Sequence, residues 1–442
     1  MKHTLTPLFD LQSIVTETGS GNKCWIAFSG GIDSTALLHN LVIQCDELNI
    51  PLHAIHINHN LYEISDSWSR HCEEICRFYN VEAEILNVDA STHGSSSPEE
   101  YARDLRYMKM EQLLGDNELL FLAHHREDQA ETLLLQLMRG AGPEGLSGMP
   151  FKKKLGRGWM IRPLLVYSKQ DLKQYNLENN LEWIEDPSNR DTRIYRNFIR
   201  HKVMPLLREK WPSAVNSIAR AAENQSDYLE ILDEVARMDH KVCRGTNNAE
   251  LLIDKLTALS IARQKNLLRY WIRLNEHALP SSVKLHQILV EVVNARQDAM
   301  PCIQWKNTEI RRHRNRIYIM HPLPDCSDRG TIRWNLHEPL SLPYGFLIAK
   351  HTTGDGIKSS IIVDDSLDVS FRKGGEAMHA TGSTNSKKLK KLYQEADIPA
   401  WLRDKIPLLY SRDNLVAVAG LWVDKKYQAK DKEPGWNVQF YN

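Results

Sequence analysis

The first 165 residues alternate between short continuous runs of apolar residues and longer stretches with helical spacing. The continuous runs cover residues 24–28, 52–58, 81–88 and 119–123. Strands buried on both faces of a parallel sheet have such runs, and helices connect them. Helical spacing follows the first run and recurs at 66–78, from Ser95 and after the fourth run. The pattern predicts an α/β domain with a parallel sheet.

The pattern changes after Pro212. Apolar residues recur at spacings of three and four from Val215 to about Ala299, which predicts a helical domain. Residues 326–338 are polar and irregular and predict a linker. A small α+β domain is predicted beyond it, with short strands at 340–363, 367–371, 407–410 and 415–423 and a basic helix that begins at Lys387. We therefore predict three domains, at residues 1–214, 215–325 and 340–442.

Arginines interleave with apolar residues in the strand-like run from Ile310 to Ile319. They are Arg311, Arg312, Arg314 and Arg316. A nucleic-acid-binding face and an edge strand guarded by charge both fit this pattern. We favour the edge strand.

Length, charge and cysteine content narrow the protein class. A chain of 442 residues exceeds the size of a single core, and its formal net charge of zero means that any basic surface must be local. Seven cysteines argue against a disulfide framework, and Cys72 and Cys76 are interpreted as core or helix-surface thiols rather than metal ligands. The N-terminus has no signal-peptide core, and no run reaches the roughly 18 apolar residues of a membrane span, so we expect a cytoplasmic protein.

A glycine turn joins the first strand to its helix, with the sequence Ser29-Gly30-Gly31-Ile32-Asp33-Ser34. It matches neither GxxxxGK[ST] nor GxGxxG. The glycines and the unpaired N–H groups of the helix start suit an anion, and Asp33 is interpreted as a Mg²⁺ partner because it would otherwise repel a phosphate. The alternative is that Ser29 and Asp33 only cap the helix.

The second predicted strand ends in polar residues, at the edge of the sheet where ligands bind in open α/β folds. Asn58 or His59 would lie near a nucleotide there. An ordinary structural role at the end of a strand and in a turn explains Asn58 and His59 equally well.

The glycine turn resembles the pyrophosphate-binding loop of the N-type ATP pyrophosphatases, which cleave ATP to AMP and pyrophosphate while adenylating an oxygen. The order of further motifs over nearly the whole chain is similar to the tRNA(Ile)-lysidine synthetase family. The motifs are ExxARxxRY at 99–107, HHREDQAET at 124–132, RGAGPEGLSGM at 139–149, RPLL at 162–165, DPSNRD at 186–191 and KKLKKLYQEADIPAWLRDKIPLL at 387–409. The resemblance implies that residues 29–34 bind ATP within a PP-loop fold and that RPLL is a short strand.

The resemblance also implies a set of catalytic residues, namely Asp33, Arg103, Arg106, His125, Asp128 and Glu131. Arg103 and Arg106 would contact the ATP phosphates or the tRNA, because the planar fork of arginine binds phosphate oxygens in two places. On spacing alone, these arginines also describe a solvated, salt-bridged helix face. Glu127 departs from the family, which usually has aspartate there, and its longer side chain would shift any Mg²⁺ contact. A simple helix start also explains Glu127 and Asp128.

Contacts with tRNA are implied for Arg139, Arg196, Arg200, Lys387, Lys388, Lys390, Lys391, Trp401 and Arg403. Arg139 opens a glycine-rich stretch, too irregular for a helix, that would reach the target base or would be a plain connector. A basic helix beside a tryptophan can bind an RNA backbone and stack a base. Solvated charge remains the alternative for each cationic group.

In the implied reaction, ATP adenylates the C2 oxygen of the wobble cytidine of tRNA(Ile) with a CAU anticodon, and free L-lysine displaces AMP. ATP and Mg²⁺ are the implied cofactors, and Asp128 or Glu131 would orient or deprotonate the lysine amine. A sulfur-inserting tRNA enzyme would need thiol chemistry that the cysteine spacing does not supply. An amidating ligase for small molecules would have no use for the basic helix, and a non-catalytic tRNA-binding protein would release no pyrophosphate. The oligomeric state is open, with a homodimer as one alternative.

Overall fold

A computed structural model describes residues 7–58, 65–87, 98–185, 191–296, 299–326, 330–380 and 385–441. The chain forms two compact units, Met1–Leu232 and Asp233–Asn442. The expected fold class is confirmed: a parallel-sheet domain is followed by a helical region and a strand-rich C-terminal region. The division into three domains stays a prediction.

The first unit alternates strands and helices along the chain. Its strands are β1 (Lys23–Ala27), β2 (Leu52–Asn58), β3 (Glu82–Asn87), β4 (Glu118–Phe121), β5 (Lys152–Leu155) and β6 (Gly158–Ile161). Its helices are α1 (Leu11–Thr18), α2 (Ile32–Leu48), α3 (Ser65–Phe78), α4 (Pro98–Leu113), α5 (Arg126–Met138), α6 (Pro143–Leu146), α7 (Lys169–Glu178), α8 (Tyr195–Phe198) and α9 (Met204–Lys210). A 3₁₀ turn spans Pro163–Val166, a π-helical segment spans Ile199–Val203, and α10 (Ala214–Cys243) contains the boundary between the units.

The six strands form one sheet in the order β3-β2-β1-β4-β6-β5, parallel except for β5. The apolar side chains of β1 and β4 are buried except for Ala27, which is partly buried, as their continuous runs predicted. The chain order reverses between β1 and β4, since β2 lies on one side of β1 and β4 on the other. The carboxyl ends of two such strands form a crevice in which ligands bind in open α/β sheets.

The second unit contains short helices and several antiparallel sheets. Its helices are α11 (Ile253–Thr257), α12 (Ile261–Leu274), α13 (Ser282–Gln287), α14 (Leu389–Glu395) and α15 (Ala400–Arg403), and a π-helical segment, Ile288–Val293, follows α13. Its strands are β7 (Glu250–Leu252), β8 (Cys302–Trp305), β9 (Thr308–His313), β10 (Arg316–Met320), β11 (Ile332–Asn335), β12 (Leu340–Leu342), β13 (Gly345–Thr353), β14 (Ile357–Lys358), β15 (Ser366–Ser370), β16 (Ala377–Met378), β17 (Lys387–Lys388), β18 (Leu408–Ser411), β19 (Asn414–Val418), β20 (Trp422–Val423) and β21 (Pro434–Tyr441). The sheets have the orders β7-β10-β9-β8, β11-β15-β18-β19-β20, β12-β13-β21-β14 and β16-β17. Among the described residues, no helix is long and apolar enough to span a membrane.

The arginine-rich run from Ile310 to Ile319 is a hairpin inside a sheet, so the predicted edge strand is wrong. β9 and β10 pair with each other, and each has another strand on its far side. Two of the arginines face carboxylates of the same sheet: Arg311 lies 2.7 Å from Glu309 and Arg316 lies 3.0 Å from Glu250. Their charges are therefore paired within this sheet.

Arg312 of the same hairpin is buried, with 5% of its surface exposed. Its Nη1 donates to the carbonyl oxygens of Val292 (3.2 Å), Val293 (2.8 Å) and Ala295 (2.7 Å), at the end of the helix that begins as α13. The last carbonyls of a helix have no partner within the helix, so a cation there satisfies them. Arg312 thus caps a helix.

Four further local predictions are wrong. RPLL is no strand, because β6 ends at Ile161 and Pro163, which lacks an N–H donor, starts a 3₁₀ turn. The predicted linker contains β11, which pairs with β15 and buries Trp334. The basic helix begins at Leu389, because the two preceding lysines pair as β17 with β16. The glycine-rich stretch contains the single helical turn α6, started by Pro143.

Replacing Arg312 by alanine should lower the free energy of unfolding by about 2 to 4 kcal/mol, because three buried carbonyls lose a charged donor. Urea denaturation of the full chain, followed by tryptophan fluorescence, measures the change. Arg314→Ala is the matched control, since the Arg314 side chain is 59% exposed and pairs with an exposed Asp397. It should cost less than about 1 kcal/mol. Equal losses for the two variants would contradict the capping role.

Candidate active site

The glycine turn after β1 is held in place by distant segments. Gly30 has a φ of +74°, a conformation that favours glycine, and a Cβ atom there would lie 3.0 Å from the Cys72 sulfur and 3.2 Å from Ile184 Cδ1. The Gly30 carbonyl accepts a hydrogen bond from the Ile184 N–H at 3.0 Å, and the Ile32 carbonyl accepts one from the Asn176 side chain at 2.8 Å. Substitution at Gly30 would therefore disturb the turn.

The turn leaves donors open to a ligand. Within the described residues, no acceptor binds the backbone N–H groups of Gly30, Gly31, Ile32 or Asp33. The helix is capped by Gly31 without any side-chain hydrogen bond, so the alternative in which Ser29 and Asp33 cap it is wrong. Open N–H groups at the positive end of a 17-residue helix suit an anion.

Asp33 stands in the first turn of α2 with a buried, unpartnered oxygen. No described residue hydrogen-bonds to its Oδ1, and the nearest cationic group is His125, whose Nε2 lies 3.6 Å from Oδ2. Burial raises the pKa of Asp33 above its ordinary value, Asp128 adds to the rise, and His125 opposes it. A carboxylate with a free oxygen beside an anion site is a donor suited to a hard cation.

His125 is surrounded by carboxylates and is 2% exposed. Its Nδ1 lies 3.1 Å from Glu127 Oε2, and its Nε2 lies 3.4 Å from Asp128 Oδ2. Burial disfavours the charged ring, but Asp128, Glu127 and Asp33 outweigh it and raise the pKa of His125. Both ring nitrogens can donate to a carboxylate only in the imidazolium, so the geometry favours a charged His125.

Glu127 has partners that suit its length. Besides His125, it accepts hydrogen bonds from the Lys169 N–H at 2.9 Å and from Arg208 at 3.1 Å. Burial would raise the pKa of Glu127, but the His125 and Lys169 bonds lower it to about 2. Its carboxylate is therefore ionised and occupied in this structure.

Asp128 and Glu131 form a cluster with two arginines. Arg196 lies 3.2 Å from Asp128 Oδ1 and 3.0 Å from Glu131 Oε2, and Arg200 lies 3.0 Å from Asp128 Oδ1 and 2.7 Å from Glu131 Oε1. Burial of Asp128 is outweighed by His125 and Arg196, which hold the pKa of this carboxyl well below its usual range. Burial of Arg200 is likewise outweighed by Glu131, so the pKa of Arg200 is raised. Asp128 and Arg200 are therefore charged at neutral pH, and each faces groups of opposite sign.

The two arginines reach this cluster from a helix with a widened turn. The N–H of Met204 bonds to the carbonyl of Ile199, five residues earlier, and Pro205 has no N–H to continue the regular ladder. Arg196 lies in α8 and Arg200 in the π-helical segment that follows. Such π segments are frequent at functional sites.

Sequence reasoning did not include Arg162, Tyr107 or His124 in the site. Arg162 is 3% exposed and donates from Nε to His124 Nδ1 at 3.2 Å. Arg103 lies over the Tyr107 ring at 5.6 Å, and burial of Tyr107 is outweighed by Arg162 and Arg103, which lower its pKa. A single arginine within the apolar run 159–165 was the available signal.

Family models match three parts of the chain. A PP-loop domain matches residues 8–207, a TilS substrate binding domain matches 251–318, and a TilS substrate C-terminal domain matches 367–440. The tRNA(Ile)-lysidine synthase of Coxiella burnetii is 41% identical over 98% of this chain and 96% of its own length. Those of Legionella pneumophila strain Paris and Pectobacterium atrosepticum are 39% and 34% identical, over 94% and 97% of this chain and 95% and 97% of their own lengths. This chain belongs to the tRNA(Ile)-lysidine synthase family.

Among solved structures, the U34-tRNA thiolase NcsA of Methanococcus maripaludis covers 46% of this chain and 72% of its own. Its sequence identity to this chain is 17%, and its TM-score is 0.38. The likeness is too slight to carry a functional argument.

The structure brings the glycine turn and the start of α5 together, since His125 Nε2 lies 3.6 Å from Asp33 Oδ2. A cavity of about 510 Å³ lies beside the cluster and is lined by His125, Glu127, Glu131, Lys169, Arg200 and Arg208, among other residues. Arg103 and Arg106 are exposed on α4, and Arg106 is close enough to act on the pKa of His124. Residues 59 and 186–190 and the side chains of Asn58 and Glu99 lie outside the described part.

The other residues predicted to contact tRNA lie outside the cluster of carboxylates and arginines. Arg139 is exposed at the end of α5. In the second unit, Arg403 donates from Nε and Nη2 to the Ile398 carbonyl at 2.9 and 2.7 Å, and Trp401 packs edge-on against Tyr318 at 5.5 Å. Lys388, Lys390 and Lys391 are exposed, whereas Lys387 lies 2.8 Å from Glu395.

Replacing Gly30 by alanine should destabilise the ligand-free protein by about 1 to 3 kcal/mol, because a positive φ strains any side chain and the Cβ meets Cys72 and Ile184. Gly31→Ala is the matched control. Gly31 has a φ of −79°, and its added Cβ would lie no nearer than 3.6 Å to Ser29 Oγ. The control should change stability by less than about 1 kcal/mol. Urea denaturation checks both, and an unaffected Gly30→Ala would refute the requirement for glycine.

Proposed function

We propose that this protein joins free lysine to C2 of the wobble cytidine of tRNA(Ile) with a CAU anticodon, in the cytoplasm, through an adenylated tRNA intermediate. The observation that carries the proposal is the open anion turn with Asp33 next to the His125–Asp128–Glu131–arginine cluster. This arrangement occurs in a chain whose curated relatives are named tRNA(Ile)-lysidine synthases over nearly their full length.

In the first step, the cytidine C2 oxygen forms a bond to the α-phosphorus of ATP while the bond to pyrophosphate breaks. The N–H groups of Gly30 to Asp33 bind the departing pyrophosphate, where charge develops. Arg103 and Arg106 lie on the exposed face of α4 and supply further positive charge. Holding ATP and base in line is the other contribution of the site.

Mg²⁺ fits the donor set at Asp33. The Oδ1 atom of Asp33, which has no hydrogen-bond partner, is a hard oxygen ligand. Among the described residues, no group of three His, Cys, Asp or Glu side chains could hold a metal by itself. Magnesium is typically held by one or two carboxylates together with substrate phosphates and water. When bound, it would neutralise phosphate charge beside Asp33.

In the second step, the neutral lysine amine attacks C2, the C–N bond forms, and the C2–O bond breaks with its electrons leaving on AMP. The proton that the amine releases goes to the departing AMP phosphate or to solvent. Asp128 is held ionised by His125 and the arginines, so it is a weak base. We assign Asp128 and Glu131 to orienting the amine through hydrogen bonds rather than to taking its proton. Arg196 and Arg200 keep these carboxylates in place.

Thiol chemistry is not favoured by the site. Burial raises the pKa of Cys72 to about 12 and that of Cys76 to about 11, so neither forms a thiolate at neutral pH. The pair is confirmed as buried thiols. A sulfur-inserting enzyme would need a reactive cysteine in the crevice.

The direct test mixes the enzyme with ATP, Mg²⁺, the CAU tRNA and lysine. Pyrophosphate release and mass analysis of the tRNA nucleosides should show one lysine added per wobble cytidine. Asp33→Ala should slow pyrophosphate release by about 10²- to 10³-fold, as loss of an electrostatic group at a reacting phosphate does. Asp46→Asn, an exposed carboxylate on the same helix, is the control and should leave the rate unchanged. An undiminished rate in Asp33→Ala would overturn the proposed ATP site.

Binding of tRNA should depend on the exposed lysines near α14. The triple variant Lys388→Ala, Lys390→Ala, Lys391→Ala should lower the magnitude of the logarithmic salt slope by about 2 to 3, because each phosphate contact contributes about 0.7 to 0.9. Lys387→Ala is the matched control. Because Lys387 is paired with Glu395, this variant should lower the magnitude of the salt slope by less than the loss of one phosphate contact does. Filter binding at several salt concentrations measures both slopes. An unchanged slope in the triple variant would exclude these lysines from the tRNA interface.

A further inference from the structure

Arg162 connects two motif segments through buried hydrogen bonds. Its Nη1 donates to the Pro150 carbonyl at 2.9 Å, its Nη2 lies 3.4 Å from Met160 Sδ, and it hydrogen-bonds to the Tyr107 side chain. Its Nε donates to His124 Nδ1 at 3.2 Å. The guanidinium is thus fixed from several sides, and it fixes the His124 ring in turn.

The contact with Arg162 determines the tautomer of His124. A guanidinium carries only donors, so Nδ1 of His124 must be the acceptor and has no proton. The single proton of the neutral ring is then on Nε2. No described residue accepts a hydrogen bond from Nε2, and the His124 side chain is partly exposed. The ring therefore presents one free donor.

The surroundings of His124 favour an anionic acceptor. Burial, together with Arg162, Arg196 and Arg106, lowers the pKa of His124 to about 3 against the opposing effect of Asp128. The ring is therefore neutral at physiological pH, in a positive environment. Hydrogen bonds from N–H groups to charged oxygens are about twice as strong as those between neutral groups.

The position of His124 in the sheet indicates which ligand oxygen would accept this hydrogen bond. His124 follows β4, and β4 pairs directly with β1, whose turn presents the open N–H groups. Adjacent strands lie about 4.8 Å apart. A ligand whose terminal phosphates lie on the β1 turn would have its next phosphate within reach of the end of either neighbouring strand, β2 or β4. Of the two, β4 is followed by the His124 donor beside Arg162.

We propose that His124 is a neutral hydrogen-bond donor to the α-phosphate of ATP, and that Arg162 is the residue that positions it. The proposal deepens the proposed function and rests on it. His124 takes part in no bond change. Its Nε2–H contacts the phosphate while the cytidine oxygen is adenylated, and again when that phosphate leaves as AMP.

The first test is spectroscopic and needs no turnover. In protein with ¹⁵N-labelled histidine, the His124 resonances, assigned by their loss in His124→Gln, should show a bare Nδ1 and a protonated Nε2 from pH 8 to pH 5. AMP should shift the Nε2–H resonance, and pyrophosphate alone should not. An imidazolium at pH 6, the opposite tautomer, or no response to AMP would overturn the proposal.

The second test compares side chains with and without a donor. His124→Leu should slow both adenylation of tRNA and transfer of the preformed adenylate to lysine by about 10²- to 10³-fold, whereas His124→Gln, which keeps an N–H donor, should stay within about tenfold of the wild type. His53→Gln, on β2, is the control for replacing a histidine. A loss in the first step alone, or equal losses in His124→Gln and His124→Leu, would contradict the assignment.

Arg162→Lys separates positioning from structure. Lysine keeps the charge but cannot place a planar N–H against Nδ1, so the neutral His124 ring should populate both tautomers, and the ¹⁵N resonances of its two ring nitrogens should become alike. Nitrogen resonances like those of the wild type would show that Arg162 does not position His124. If the wild-type protein forms no adenylated tRNA, the proposed function fails, and the resonance measurements with AMP still decide the role of His124.

Discussion

The partly buried carboxylate of Asp33 is the constraint on which the rest of the site depends. One of its oxygens has no partner among the described residues, although burial of an unpaired charge is costly. The basic group nearest to it is the His125 ring at 3.6 Å, whose pKa is raised by Asp128 and Glu127. The His125 ring at the start of α5 therefore faces the Asp33 carboxylate at the start of α2. A metal-bound phosphate over the turn would complete this balance.

The carboxylate–arginine cluster next to it has the opposite character, because every charge has a partner. Buried ion pairs are weak evidence for stability, since desolvation offsets much of their attraction. What the cluster determines is position: Glu131, 1% exposed, receives hydrogen bonds from both Arg196 and Arg200. A carboxylate fixed in this way presents its remaining lone pairs in one direction, which suits recognition of an amine. The widened turn before Pro205 allows both arginines to reach it.

Arginines serve three physical roles in this chain, and local sequence does not distinguish them. Arg312 satisfies helix carbonyls, Arg162 donates to a ring nitrogen of a histidine, and Arg200 pairs with buried carboxylates. A formal net charge of zero is consistent with such internal use of arginine, and the exposed lysines near α14 form a local group of cations.

The sequence by itself determined four strands of the parallel sheet, the glycine turn after the first of them, the order of motifs and the family, because these depend on neighbours a few residues apart. The strands β5 and β6 were not predicted. Buried strands need continuous apolar runs, and a strand–glycine–helix turn is local geometry. Only the tertiary structure decided which charges meet: Arg196 and Glu131 are 65 residues apart and Arg162 and His124 are 38 apart. The hairpin of β9 and β10 and the strand in the expected linker were missed for the same reason, since pairing between strands depends on neighbours that are distant in the chain. Residue type shows that a group can be charged, and the fold decides whether a carbonyl, a carboxylate or a ligand faces it.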